Sequence, residues 1–377
     1  MPADKRPALR HPPGTPVFDW STATDLDLLV DGATFYPHVF THITTAVQRV
    51  WIELYLVESG HICAHLITAL VAAKQRGLEV RLLIDGLGAQ GMSHADRRHL
   101  SEAGVDLRVY NPPDWRHPLR SLLRDHRKIL IIDDLAYTGG AGISDDFAQS
   151  SPAPWRETMV AMRGDIVAQW CCLFDSVWQG QPTLAPIPSS RAGTFSARVN
   201  ASQADLPQHL QASLLRAMAH AHQRIWIATP YFLPPRRLRK ALRQAARRGV
   251  DVRLLIPGRH NDHPLIGLLS HSFLARLGAH GVKTYQYRPR FLHTKVYLCD
   301  QWCSLGSSNM DRWGMFWNLE ANLEVDSAEF SDRIVAMLTT DFAAAERLPA
   351  AAHSAWHRLL QRCTHLIINL LERWRKR

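Results

Sequence analysis

Residues 291–309 read FLHTKVYLCDQWCSLGSSN, and residues 124–142 read RDHRKILIIDDLAYTGGAG. Each stretch sets a histidine and a lysine two apart, an aspartate five further on, and a glycine turn beyond: His126, Lys128 and Asp133 in one, His293, Lys295 and Asp300 in the other. The apolar runs that follow the lysines, ILII and VYL, are those of buried strands. On a strand, residues two apart share a face. A single His-x-Lys at a strand end is ordinarily surface decoration. Its repetition with the same later aspartate and glycine points to catalysis instead.

Working outward, the repeat extends well beyond these strands. ALVAAKQRGLEVRLLI (69–84) answers ALRQAARRGVDVRLLI (241–256), QRVWIELY (48–55) answers QRIWIATP (223–230), and AGVDLRVY (103–110) answers HGVKTYQY (280–287). The order of blocks is kept while the loops between them differ. Each half reads as strand, helix, strand, short helix, strand and then the His-x-Lys strand. Leu66, Ala69, Leu70 and Ala73 stand at helical spacing before Gly77, a C-terminal stop. Alternating helices and buried strands predict an α/β fold. The expected organisation is an N-terminal extension (1–24), a first half (25–180), a Pro/Ser/Gly-rich linker (181–195), a second half (196–348) and a tail (349–377).

The 377 residues suffice for two domains with their own cores. A net charge of +10 predicts an anionic partner, nucleic acid or membrane surface, without choosing between them. Six cysteines show no metal-ligand spacing and suggest buried thiols in a reducing compartment. His260 and His263 lack the further ligands a metal would need. The N-terminus has no apolar core of a signal peptide, and no run reaches the roughly 18–20 apolar residues of a membrane span. Cytoplasmic location with peripheral membrane contact is the expectation.

An imidazole, an ammonium and an amide on a rigid scaffold suit a tetrahedral phosphate. Ser307 and Asn309, in the turn after the second strand, would project with His293 and Lys295. In-line displacement needs a group on each side of phosphorus, so one copy is half an apparatus and two copies, packed by a pseudo-twofold, are a whole one. One histidine attacks; the other protonates the departing alkoxide and later activates the acceptor. Imidazoles with pKa near ~6.5 serve both roles. The lysines supply permanent positive charge, so neither metal nor cofactor is expected.

At these residues the chain resembles the phospholipase D superfamily, whose signature is His-x-Lys-x4-Asp followed by Gly-Gly/Ser-x-Asn. Within it the chain is most similar to bacterial cardiolipin synthases of the B type, which lack transmembrane helices. The resemblance covers roughly residues 25–345 and includes WRETMV and NLEANLEV. It implies two pseudo-symmetric phospholipase D-like α/β/α halves packed with the active site between them. It also implies phosphatidyl transfer through a phosphohistidine, from phosphatidylglycerol or phosphatidylethanolamine to the terminal hydroxyl of phosphatidylglycerol. His126 would be the nucleophile and His293 the general acid. Lys128, Lys295 and Asn309 would bind phosphate oxygens, while Glu157 and Glu320 would bond the opposite imidazole. Asp133 and Asp300 belong to the catalytic signature, with local architecture as their expected part. The alternatives are a hydrolase or nuclease of the same fold, or a basic binding protein with a decayed site.

Three departures stand out. Both turns are one residue shorter than the usual pattern. Gly142 occupies the place of Asn309 in the first copy, so Ser144 or a backbone N–H would have to compensate. WRETMV stands where the synthases more often carry Asp-Thr-His. Beyond the motifs, residues 355–377 form an amphipathic pattern with a basic end, the makings of an interfacial anchor. The cluster Arg236, Arg237, Arg239, Lys240, Arg243, Arg247 and Arg248 would be a solvated helix face or a headgroup-attracting one. The basic stretch Arg116–Lys128 is expected to line the entrance. The partners expected are phospholipid substrates and an anionic membrane surface, with no specific nucleic acid.

Overall fold

Valine-, leucine- and isoleucine-rich runs bounded by glycine become two sheets with one strand order. The computed structural model describes residues 18–349 except 115, 117–119, 181–186, 188–192, 203–208, 261, 263–269, 271–272, 275 and 312–317. In the first sheet the order is Asp25–Val30, Thr158–Arg163, Leu135–Gly139, Lys128–Ile132, Arg49–Leu54, Glu79–Asp85, Asp106–Tyr110. The second repeats it as Phe195–Ser202, Glu320–Asp326, Trp302–Gly306, Val296–Cys299, Arg224–Ala228, Asp251–Pro257, Lys283–Tyr287. Two short strands extend its edges, Ser21–Ala23 beside Phe195–Ser202 and Ala345–Arg347 beside Lys283–Tyr287.

Local signals set the helices. Ser93 caps His94–Glu102 by accepting from Asp96 N at 3.1 Å, and Ser327 caps Ala328–Ala343 by accepting from Phe330 N at 3.4 Å. Helices His61–Gln75 and Arg236–Arg247 both end at a glycine with φ of +89°, Gly77 and Gly249. An L side chain is strained there, so glycine stops both helices at equivalent places.

The apolar faces assemble in layers. Helices Gly32–Thr45 and His61–Gln75 cover the outer face of the first sheet, and His209–His220 and Arg236–Arg247 cover that of the second. Between the sheets lies one continuous core of Trp51, Ile129, Val160, Leu298, Leu305 and Leu323 with helices Ile166–Trp178 and Ala328–Ala343. Each of these helices reaches the other half. The Gln169 side-chain oxygen accepts from Val199 N at 2.8 Å, and Arg333 donates to Leu26 O at 2.8 Å. The two halves therefore share a core and are held in a fixed relation.

Two boundaries shift from expectation. Ser21–Ala23, placed in an N-terminal extension, is an edge strand of the second sheet, and Phe195, placed in the linker, begins a strand of that sheet. Both follow from hydrogen bonding across the halves. The basic amphipathic segment 355–377 and His263 lie outside the described residues.

Candidate active site

Each histidine stands just ahead of its strand, in an extended lead-in that pairs with the opposite half. His126 N donates to Leu319 O at 2.9 Å and Leu319 N to Arg124 O at 2.8 Å. In the mirror arrangement, His293 N donates to Arg156 O and Arg156 N to Phe291 O, both at 2.8 Å. The residues that grip the histidine backbones, Leu319 and Arg156, immediately precede Glu320 and Glu157. Backbone pairing across the pseudo-twofold thus delivers a carboxylate to each imidazole. His126 Nδ1 lies 3.0 Å from Glu320, and His293 Nδ1 lies 2.5 Å from Glu157. A carboxylate accepts the Nδ1 proton and leaves Nε2 as the nitrogen with a lone pair.

Arg156 is fully buried and braces this joint. It makes a two-pronged ion pair with Asp341 at 2.9 and 2.7 Å and donates to Glu157 O and Thr158 Oγ1. Removing either charge would strand the other out of water.

Lys128 and Lys295 follow their histidines into the interior. Each ammonium donates to the carbonyl of its own histidine, at 2.7 Å and 2.5 Å. Lys295 also lies 3.6 Å from Glu157 and 3.0 Å from His293 Nδ1. Burial pushes the Lys128 ammonium down to about 7, with Lys295 adding to the fall and Glu320 opposing it. Burial lowers Lys295 as well. The permanent charge expected of the lysines is therefore corrected for Lys128, which titrates near neutrality because it sits dry beside a second cation. Burial likewise lowers both imidazoles, and His293 well below the ordinary value because Lys295 and Lys128 both bear on it. His126 responds to Lys295, and His293 to His126, so the two sets share one electrostatic site.

Several residues do other work than expected. Ser307 donates to Glu320 at 2.5 Å and accepts from Ala321 N at 3.0 Å, which makes it a support for the His126 partner. Asn309 is buried, and its Oδ1 has no partner among the described residues. Gly142 has no room for the missing asparagine: a Cβ there would stand 2.6 Å from both Leu56 Cβ and Leu56 O. Ser144 does not replace it, because its hydroxyl donates to Glu58 at 2.8 Å.

Asp133 and Asp300, grouped by sequence with the catalytic signature, lie at the far ends of their strands. Asp133 accepts from Val47, Gln48 and Arg49 N at 2.9, 2.9 and 3.0 Å, and Asp300 from His222, Gln223 and Arg224 N at 2.7, 3.0 and 2.8 Å. Although burial opposes it, these donors hold both carboxyls below the usual range. Each aspartate ties the start of the neighbouring antiparallel strand to the hairpin. Arg124 and Arg127, expected at the entrance, are buried, Arg124 bonding Asp85 at 3.2 Å and Arg127 donating to Ser202 O at 3.1 Å.

Sequence reading did not find the aromatic surroundings. Phe147, Trp155 and Phe291 ring His293, with centroids at 5.6, 5.1 and 5.7 Å. His126 meets the edge of Tyr55 at 4.8 Å. The collar draws on three separate segments, so only the fold could reveal it.

This duplicated arrangement has close parallels. The family described as "Cardiolipin synthase, PLD-like domain" matches residues 39–178 and 214–342, one match per half. The chain belongs to that family. It is a phosphatidyltransferase-type enzyme of the phospholipase D superfamily. Cardiolipin synthase A of Pseudomonas putida (strain W619) is 31% identical over 347 residues, covering 89% of this chain and 72% of the relative. Cardiolipin synthase B of Salmonella typhimurium is 32% identical over 335 residues, covering 84% and 79%. In fold, the family member resembles the crystal structure of phosphatidylserine synthase from Haemophilus influenzae, with a TM-score of 0.76 at 14% identity over 93% of this chain and 96% of that one. Among the described residues no helix is long and apolar enough to cross a membrane, and no cluster of three metal-ligating side chains occurs.

Proposed function

We propose that the protein makes cardiolipin by passing the phosphatidyl group of one phospholipid, through a phosphohistidine on His126, to the terminal hydroxyl of phosphatidylglycerol. The observation that carries this reading is the crossed pairing His126–Glu320 and His293–Glu157, in which each half supplies the carboxylate that holds the other half's imidazole.

In the first step His126 Nε2 attacks phosphorus, the phosphorus–alkoxide bond breaks, and the alkoxide takes a proton from His293. In the second, the acceptor hydroxyl attacks phosphorus, its proton passes to His293, and the P–N bond to His126 breaks. Lys128, Lys295 and Asn309 stabilise the equatorial oxygens. His293 must be protonated for the first step, although burial and two lysines oppose that. A bound phosphodiester anion offsets those lysines and restores the proton, so the acid is armed by its substrate. The aromatic collar around His293 excludes water and favours an alcohol over hydrolysis.

The exposed Arg236, Arg237, Lys240 and Arg247 of helix Arg236–Arg247 give the second half a basic surface suited to an anionic bilayer. Peripheral attachment to the cytoplasmic face of the cell membrane, with no specific nucleic acid partner, fits it. The donor is phosphatidylglycerol or phosphatidylethanolamine. The test is to incubate purified protein with phosphatidylglycerol vesicles, with and without phosphatidylethanolamine, and identify the products. Cardiolipin supports the proposal; phosphatidic acid alone makes the protein a hydrolase; absence of turnover refutes both.

A further inference from the structure

Beside the two glutamates, one matching place holds unlike residues. Val30 pairs with Thr158 in the first sheet and Ser202 with Glu320 in the second, which sets Asp31 against Glu157 as Ser202 stands against Glu320. Ser202 Oγ accepts from Glu320 N at 2.8 Å, and Asp31 Oδ1 accepts from Glu157 N at 3.2 Å. The serine hydroxyl donates onward to Asn318 O at 2.9 Å, within its own half. The aspartate instead crosses the halves: its Oδ2 accepts from Arg290, whose other terminal nitrogen donates to Pro154 O at 3.1 Å.

We propose that Asp31 is a positioning residue for His293: it clamps the Glu157 backbone to Arg290 of the other half and so fixes the carboxylate that orients this imidazole. The inference rests on the reading of His293 as the general acid and base, and adds what holds that group in register.

An aspartate just before a helix ordinarily caps it, but the Asp31 side chain makes no cap bond to helix Gly32–Thr45. Its backbone lies at φ 68° and ψ 157°, a region in which only glycine sits without strain. A forgone cap and a strained backbone are both accounted for by a carboxylate that is needed elsewhere. Asp31 N also donates to Glu157 O at 2.9 Å, so two bonds hold the Glu157 backbone. A Cβ on Gly32 would stand 1.9 Å from Phe147 O, which wedges the turn against the residue whose ring meets His293. The bonds form a circuit across the halves: His293 ring to Glu157 carboxylate, Glu157 backbone to Asp31, Asp31 to Arg290, and three residues of chain back to His293. The joint at His126 also crosses the halves, with Arg127 donating to Ser202 O at 3.1 Å, but through a carbonyl that any residue supplies. On the His293 side the link at this place needs a carboxylate.

The test compares full-length Asp31→Gly, whose backbone accepts the turn, with Asp31→Asn, which keeps an acceptor for Glu157 N and loses the ion pair with Arg290. On phosphatidylglycerol vesicles, Asp31→Gly should lower kcat about tenfold or more with KM changed by less than about twofold. It should also raise the fraction of chains trapped as phosphoenzyme, the mark of a second step whose base is misplaced. Asp31→Asn should recover part of both effects. Ser202→Ala, which loosens the partner of His126, should slow turnover without raising that fraction. His293→Ala supplies the reference for full trapping. If it traps phosphoenzyme while Asp31→Gly holds no more than the parent, whatever the melting temperatures, the positioning role is overturned and the phosphohistidine reading stands. If no phosphoenzyme forms even in His293→Ala, that reading fails, and the role of Asp31 with it.

Discussion

The two halves share strand order and the His-x-Lys lead-in, but they house their histidines differently. His126 has a phenol edge beside it and a glutamate steadied by Ser307. His293 has three aromatic neighbours, a shorter bond to Glu157, and Lys295 against its ring nitrogens. Where Ser307 supports Glu320, the first half has Gly140, whose backbone lies so near Glu157 that a Cβ would stand 2.2 Å from its Oε2. Duplication sets the frame; divergence of the packing around each ring assigns different work to equivalent residues. A ring steadied in a polar setting suits a nucleophile. One ringed by aromatic side chains, with a cation against it, suits an acid that gives up its proton readily.

The sharpest way to break this comparison is to remove each ring. His126→Ala should lower turnover by about 10⁴-fold or more and abolish a covalent phosphoenzyme after acid-free quenching with radiolabelled lipid. His293→Ala should cost about 10²–10⁴-fold and accumulate the phosphoenzyme, because the second step loses its base. The reverse pattern would exchange the two roles.

A smaller effect concerns Lys128. Its folded value lies near 7, below that of a free lysine, so the charged form is present below about 7 and lost above it. Phosphate binding requires that charge, and KM should rise about fivefold between pH 7 and 8 as the competent fraction falls. Lys128→Arg, charged throughout, should flatten the rise. A flat profile in the parent would show that the lysine stays charged.

The motif aspartates test the symmetric part of the frame. Asp133→Ala and Asp300→Ala should each cost about 1–3 kcal/mol of stability by urea unfolding, with similar values in the two halves. Both folded carboxyls lie below their unfolded value, so this stabilisation is present above the unfolded pKa and is lost as pH falls through the folded one. The gap between parent and variants should close in acid. Gly142→Asn should cost about 1–3 kcal/mol by crowding Leu56, whereas Leu56→Ala in the same chain should recover part of it. Full tolerance of Gly142→Asn would mean the first turn was free to carry the motif residue.

Short-range pattern made much of this legible. The succession of strands and helices in each half follows from repeated apolar blocks, and a helix stop from Gly77, because periodicity and φ preference act within a few residues. His126, Lys128, His293 and Lys295 announce themselves by spacing alone. Glu157 and Glu320 are silent in isolation; a strand glutamate reveals its partner only through family likeness or the fold. The use of Ser307 as a support, the pressure of Leu56 on Gly142 and the collar around His293 depend on contacts between distant segments. No local rule encodes them. Ser21–Ala23 was missed for the same reason, since an edge strand of three residues has too little periodicity to read.

The central claim is that both imidazoles act on one phosphorus. A crystal structure of the protein soaked with vanadate tests it most directly. The account predicts a single vanadium per chain, bonded to Nε2 of one histidine, with Nε2 of the other at the opposite apex and Lys128 and Lys295 on the equatorial oxygens. Vanadate bound to one histidine with the other turned away, or two separate vanadates, would contradict it.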